Sequence, residues 1–127
     1  MKIEALVSNM MRMNNMGRLW HWTTDTASHH TAYETFLTEN ETLTDGLVES
    51  ALGNDMSFSF SEVKIEAQEN TYSLDNARNE LRNYRGQLLE AKTSYEKADQ
   101  LGTDELVTIL DSVIELTSKT LYLLKLK

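Results

Sequence analysis

The chain has 127 residues, with 20 acidic against 12 basic side chains and a formal charge of −8 at pH 7. It contains no cysteine and no proline, and only five glycines. This length suits one domain with a real core; disulfide frameworks, thiol nucleophiles and cysteine zinc sites are excluded, and a chain this acidic, without a cluster of Lys and Arg, is a poor ligand for nucleic acid. Scarce breakers favour long helices. No run of about 18 apolar residues exists to span a membrane, and no apolar stretch followed by a small-residue cleavage site marks a signal peptide. The expectation is an acidic, cytoplasmic, mostly helical domain.

In chain order, the first helix is expected over 3–23. Ile3, Leu6, Met10, Met13 and Trp20 form a stripe at helical spacing, with Gly17 in the skipped slot. The polar, β-branched run 23–27 ends it. A second helix is expected over 28–52, capped by Ser28, burying Tyr33, Phe36, Leu37, Leu43, Leu47, Val48 and Ala51 and stopped by Gly53-Asn54. The third, over 70–99, has the cleanest stripe: Leu74, Ala77, Leu81, Tyr84, Leu88, Ala91, Tyr95 and Ala98. The fourth, over 103–125, is capped by Thr103 and repeats the pattern through Leu106, Leu110, Val113, Thr117, Leu121 and Leu124. Val107, Ile109, Ile114, Leu116 and Leu123 widen that stripe, so the fourth helix is expected to be the most buried.

Short links make helices one and two antiparallel neighbours, and likewise three and four. The link from about Gly53 to Tyr72 is longer. Helix two is about 37 Å long at the rise of an α-helix, and an extended segment of this size can run that distance. The expected fold is therefore all-α: a single four-helix domain over 1–127, ferritin-like, with a long crossover between helices two and three. A plain up-down bundle with a loose loop is the alternative. Met56, Phe58 and Phe60 alternate with Ser in the link, which argues for a packed segment.

Charge concentrates in one place. Helix two carries Glu34, Glu39, Glu41, Asp45 and Glu49 and no Lys or Arg, which calls for metal ions, a basic protein partner or solvent as counter-charge. The three histidines, His21, His29 and His30, all fall around the first helix corner. Imidazoles and carboxylates together suit transition metals. Asp45 and Glu49 share a helix face but lie about 22 Å along the helix from His30. A twofold axis near Phe36–Asn40 brings them together: His21 and His30 of one chain then meet Asp45 and Glu49 of the other, with Glu34 as a further ligand. Against this stands the bland reading of solvated acids and polar corner histidines. Trp20 and Trp22 lie about 200° apart around the helix, so one is expected inside the bundle and the other on a subunit contact. The Met10, Met11, Met13 and Met16 cluster reads as core filler. The sequence holds no phosphate-binding glycine loop, no H-E-x-x-H and no nucleophile elbow. It also lacks E-x-x-H, so the intrachain di-iron site of larger ferritin-like proteins is not expected.

The run Trp20-His21-Trp22, then His30, then Asp45-x-x-x-Glu49 resembles the Dps branch of the ferritin superfamily, the mini-ferritins. The His21–His30 interval is shorter than is usual for that family. The resemblance implies an iron site between subunits, with His21, His30, Asp45, Glu49 and Glu34 as ligands. It also implies Fe(II) oxidation by peroxide or oxygen and assembly into a dimer or larger cage. The family's DNA binding is not implied, because no Lys-rich tail precedes helix one. Small ferritin-like proteins of this look also occur in tailed phages. The second functional reading is a non-enzymatic, acidic, homo-oligomeric bundle, a phage structural or host-interaction protein that grips a basic partner.

Overall fold

The computed structural model describes residues 2–65 and 71–126. Four helices account for most of them: α1 Ile3–Thr23, α2 Ala27–Gly53, α3 Leu74–Ala98 and α4 Thr103–Leu123. A short 3-10 turn, Phe60–Glu62, interrupts the crossover, and there is no strand among the described residues. The all-α expectation and its four helices hold, with differences at the ends. The Ser73 hydroxyl accepts the Asn76 N–H at 3.1 Å and sets the start of α3 at Leu74; residue 70, where the helix was expected to begin, lies outside the described residues. The chain enters α2 at Ala27, so Ser28 is already helical, and the extended boundary residue Thr26 makes no side-chain cap. Thr103 is also inside its helix. Its hydroxyl turns back to the Gln100 N–H and carbonyl, and Gly102 is the boundary residue at φ 87°. Only glycine suits that position: a Cβ there would lie 2.7 Å from Asn54 Cβ.

Side-chain contacts fix the direction of each helix. Ser50 and Asn54, at the end of α2, both donate to Glu105 at the start of α4. Arg12 of α1 forms a two-pronged ion pair with Glu80 of α3. The Tyr33 and Tyr72 hydroxyls meet at 2.9 Å, so α3 starts beside the beginning of α2, not its end. The crossover therefore runs the length of the bundle, and the up-down alternative is excluded. Each packed pair, α1–α2, α3–α4, α2–α4 and α1–α3, is antiparallel, the connectivity of ferritin-like folds.

The core follows the apolar stripes. Leu6, Met10, Met13, Phe36, Leu47, Leu81, Leu88, Leu106 and Leu110 are at most 1% exposed, each contributing about 1.5–3 kcal/mol by burial. Met10 and Met13 are core filler as expected. Gly17 lets α1 approach α2 closely, since a Cβ there would sit 3.2 Å from both Leu37 Cβ and the Phe36 ring. Helix α4 does not exceed the others in burial. Val107, Ile109, Ile114 and Leu123 are only half-buried, because α4 contacts two helices and leaves a flank open.

A polar layer crosses the centre. Asn40 donates to the Met10 carbonyl at 3.1 Å and to Asn14 at 2.7 Å, and accepts from the Tyr84 hydroxyl at 2.7 Å. Burial pushes the Tyr84 phenol well above its ordinary pKa, so it stays a donor. No helix among the described residues is long and apolar enough to cross a membrane.

The crossover is clasped to α1. The Glu4 carboxylate accepts the Ser59 N–H at 2.8 Å, and the Ser8 hydroxyl accepts the Lys64 N–H at 2.8 Å. Met56, Phe58 and Val63 pack on the core, while Phe60 is 64% exposed. The Ser59 bond, then Glu4's own backbone N–H, hold the Glu4 carboxyl below its ordinary value of 4.5. A depressed carboxyl stabilises the fold above its unfolded pKa and loses that contribution as pH falls through the folded one. Urea midpoints of the native chain should therefore drop as pH goes from about 5 to 3. In Glu4→Gln that portion of the slope should disappear; equal slopes in both proteins would remove the clasp from the account.

Candidate metal centre at the first helix corner

Three residues, 24–26, separate α1 from α2. This tight corner brings the end of one helix to the start of the next and sets the His21 and His30 rings face to face, centroids 3.9 Å apart and planes 26° from parallel. The shortened interval thus brings the histidines together. His21 Nδ1 lies 3.1 Å from the His30 carbonyl, and His30 Nδ1 lies 2.8 Å from the His21 carbonyl. A carbonyl oxygen only accepts, so both Nδ1 atoms carry the proton and donate. In the neutral ring, Nε2 then keeps the lone pair that a metal needs. Fixing a ring through one nitrogen by a backbone carbonyl, with the other left for a metal, is how imidazole ligands are usually held.

Glu34 stands one turn beyond His30 on α2. One ligand atom from each of His21, His30 and Glu34 lies within 4.8 Å of the others. His30 and Glu34 are exposed and His21 is half-buried, so an ion can reach them from solvent. Two nitrogens and a carboxylate suit a borderline divalent ion such as Fe(II) or Zn(II).

Asp45 and Glu49 are not part of this cluster in the single chain. They line a groove of about 570 Å³ between α1, α2 and the crossover. Its floor is apolar, with Val7, Met11, Val48, Phe58 and Val63, and its α2 rim carries Glu41, Asp45 and Glu49. Phe60 and Ile65, which also line it, are 64% and 80% exposed. Arg18 reaches Glu41 at 3.9 Å. Among the described residues no basic side chain pairs with Glu34, Asp45 or Glu49.

The α2 groups share one line. His30, Glu34, Thr38, Glu41, Asp45, Glu49 and Leu52 follow one another at intervals of four or three, and every one is exposed. Such spacing is a single helix face. Trp20 is buried and packs on Tyr33, ring centroids 5.5 Å apart; Trp22 is 67% exposed.

Sequence reasoning missed the role of His29. It is buried, and its Nε2 donates to the Leu126 carbonyl at 2.8 Å, while Arg78 holds the Leu124 carbonyl at 2.8 Å. His29 thus ties the turn after α4 to the corner, and Arg78 ties it to the start of α3. No local pattern announces a bond across 97 positions. Comparison with known proteins finds no matching family model, curated protein or solved structure.

Proposed function

We propose that the chain is a ferritin-like protein that takes up Fe(II) at an inter-subunit site built on the first helix corner and oxidises it. The observation that carries this reading is that the corner gathers one ring nitrogen each of His21 and His30 and a Glu34 carboxylate oxygen within 4.8 Å, while the reciprocal Nδ1–H···O=C bonds leave each Nε2 without a backbone partner. Three protein ligands from one chain leave coordination positions open. The exposed α2 face supplies the rest by symmetry. Its ligands are nearly palindromic about the midpoint of Glu39 and Asn40. An antiparallel copy of α2 centred there sets His30 against the partner's Glu49, and Glu34 against the partner's Asp45. Fe(III) is harder than Fe(II) and favours the added carboxylates. Each ferrous ion gives up one electron, and a peroxide takes two, with two protons, to leave water.

The test is to add Fe(II) anaerobically, then peroxide, and follow ferric absorbance. The native chain should give a fast rise above the rate in buffer, and His30→Ala or Asp45→Ala should lose it. Equal traces for native and variant proteins would sink the reading.

One observation favours a second reading. The groove beside Asp45 and Glu49 joins an apolar floor to an acidic rim, a surface that suits a basic, amphipathic protein segment. The chain would then be a non-enzymatic interaction protein, in keeping with a phage structural or host-interaction role.

A further inference from the structure

We infer that assembly of this protein is switched by metal: the α2 face docks a second copy of the chain, and it does so only when cations occupy the shared sites. This rests on the inter-subunit site proposed above and concerns its regulation.

The occupant is chosen by register. In the antiparallel pairing His30 meets the partner's Glu49, Glu34 meets the partner's Asp45, and Thr38 meets the partner's Glu41. One helix face thus puts the nitrogen ligands of one copy against the carboxylates of the other, twice, around a single axis. A face that matches its own reverse is what an isologous contact requires. Apolar surface agrees. Trp22 follows His21 directly and is 67% exposed. The groove that holds Asp45 and Glu49 ends in the exposed Phe60 and Ile65. Pairing that delivers His21 to those acids carries Trp22 toward that groove. Exposed aromatic and aliphatic side chains are what a buried contact would cover.

Charge supplies the switch. The face brings Glu34, Glu41, Asp45 and Glu49 from each copy, eight carboxylates in all, and among the described residues the only basic partner they have is Arg18 on Glu41. Like charges brought together at a contact oppose it, so the metal-free face repels its own copy. A divalent ion held by His21, His30 and Glu34 reverses the local sign and binds the partner's acids. An ion that binds the dimer more tightly than the monomer must promote the dimer by the same factor.

Sedimentation velocity on the full chain tests this, in EDTA and in anaerobic Fe(II) or Mn(II), with calorimetry on the same samples to count bound metal. The expected result is a monomer in EDTA and a dimer in metal, reversed by chelator. The association constant should rise by about 5- to 150-fold, the usual range of site-to-site coupling. The double variant Asp45→Asn, Glu49→Gln should reverse the sign: it loses repulsion, so it should associate more readily than the native chain in EDTA and no longer respond to metal. Circular dichroism verifies that it is folded. Trp22→Ala should weaken the metal-bound dimer by about tenfold or more, as loss of an anchoring aromatic does. A dimer equally tight in EDTA overturns the switch. Metal bound by a chain that stays monomeric also overturns it, while leaving the single-chain ligands standing and the α2 face to a basic partner. No metal binding at all overturns both this inference and the iron site.

Discussion

His30→Ala should lower divalent-metal affinity by at least about 100-fold, beyond the 10–100-fold loss typical when only a group that orients a ligand is removed. The substitution deletes one Nε2 donor outright. It removes the ring stacked on His21 but leaves the bond from His21 Nδ1 to the backbone carbonyl of residue 30, an atom that alanine retains. It also spares the core, because His30 points to solvent. Anaerobic titration with Co(II) or Fe(II), followed by calorimetry, measures the loss. His29→Ala is the informative control. That ring is buried and holds the Leu126 carbonyl, so its removal should loosen the C-terminal turn and leave metal binding unchanged. If both variants bound metal as the native chain does, the corner would not be the metal centre.

The second large effect belongs to the core. Phe36→Ala should reduce unfolding free energy by about 3–5 kcal/mol, the range for a buried aromatic truncated to alanine. Phe36 is fully buried, meets the Tyr84 ring edge-on at 6.2 Å between centroids, and packs against the Gly17 backbone. Neither neighbour can close the space. Gly17 has no side chain to offer, and Tyr84 is tethered to Asn40 by its hydroxyl. Urea denaturation at neutral pH gives the difference directly. A loss under about 1 kcal/mol would mean that α1 and α2 collapse into the gap, against the close approach at Gly17.

Most of the bundle was legible because helical periodicity is a local signal. The unbroken stripe from Ala77 to Ala91 needs no knowledge of its neighbours, and it became the buried face of α3. Helix ends were less legible, because a cap depends on which way one hydroxyl turns. Thr103 folds back on Gln100, where a cap was expected. At the site, the meeting of His21 with His30 was legible from the short corner between them, and Glu34 from its place one turn on. The positions of Asp45 and Glu49 relative to those ligands were not, since spacing along one helix says nothing about a second molecule. The Asn40 contacts were also hidden. An asparagine among acids on a polar-looking helix gives no hint that it faces inward until α1 and α3 are in place.

That asparagine has a consequence for alignment. One residue of slip turns an α-helix by about 100°. Such a slip in α2 would carry Asn40 out of reach of Tyr84, Asn14 and the Met10 carbonyl at once, stranding buried polar atoms. The same turn would swing His30 and Glu34 off their common line. Asn40 thus works as an index mark: it stands at the height of the proposed twofold axis, points the other way, and admits one rotational setting of α2. Repacking the core around that mark should disorder the outer face before it unfolds the bundle.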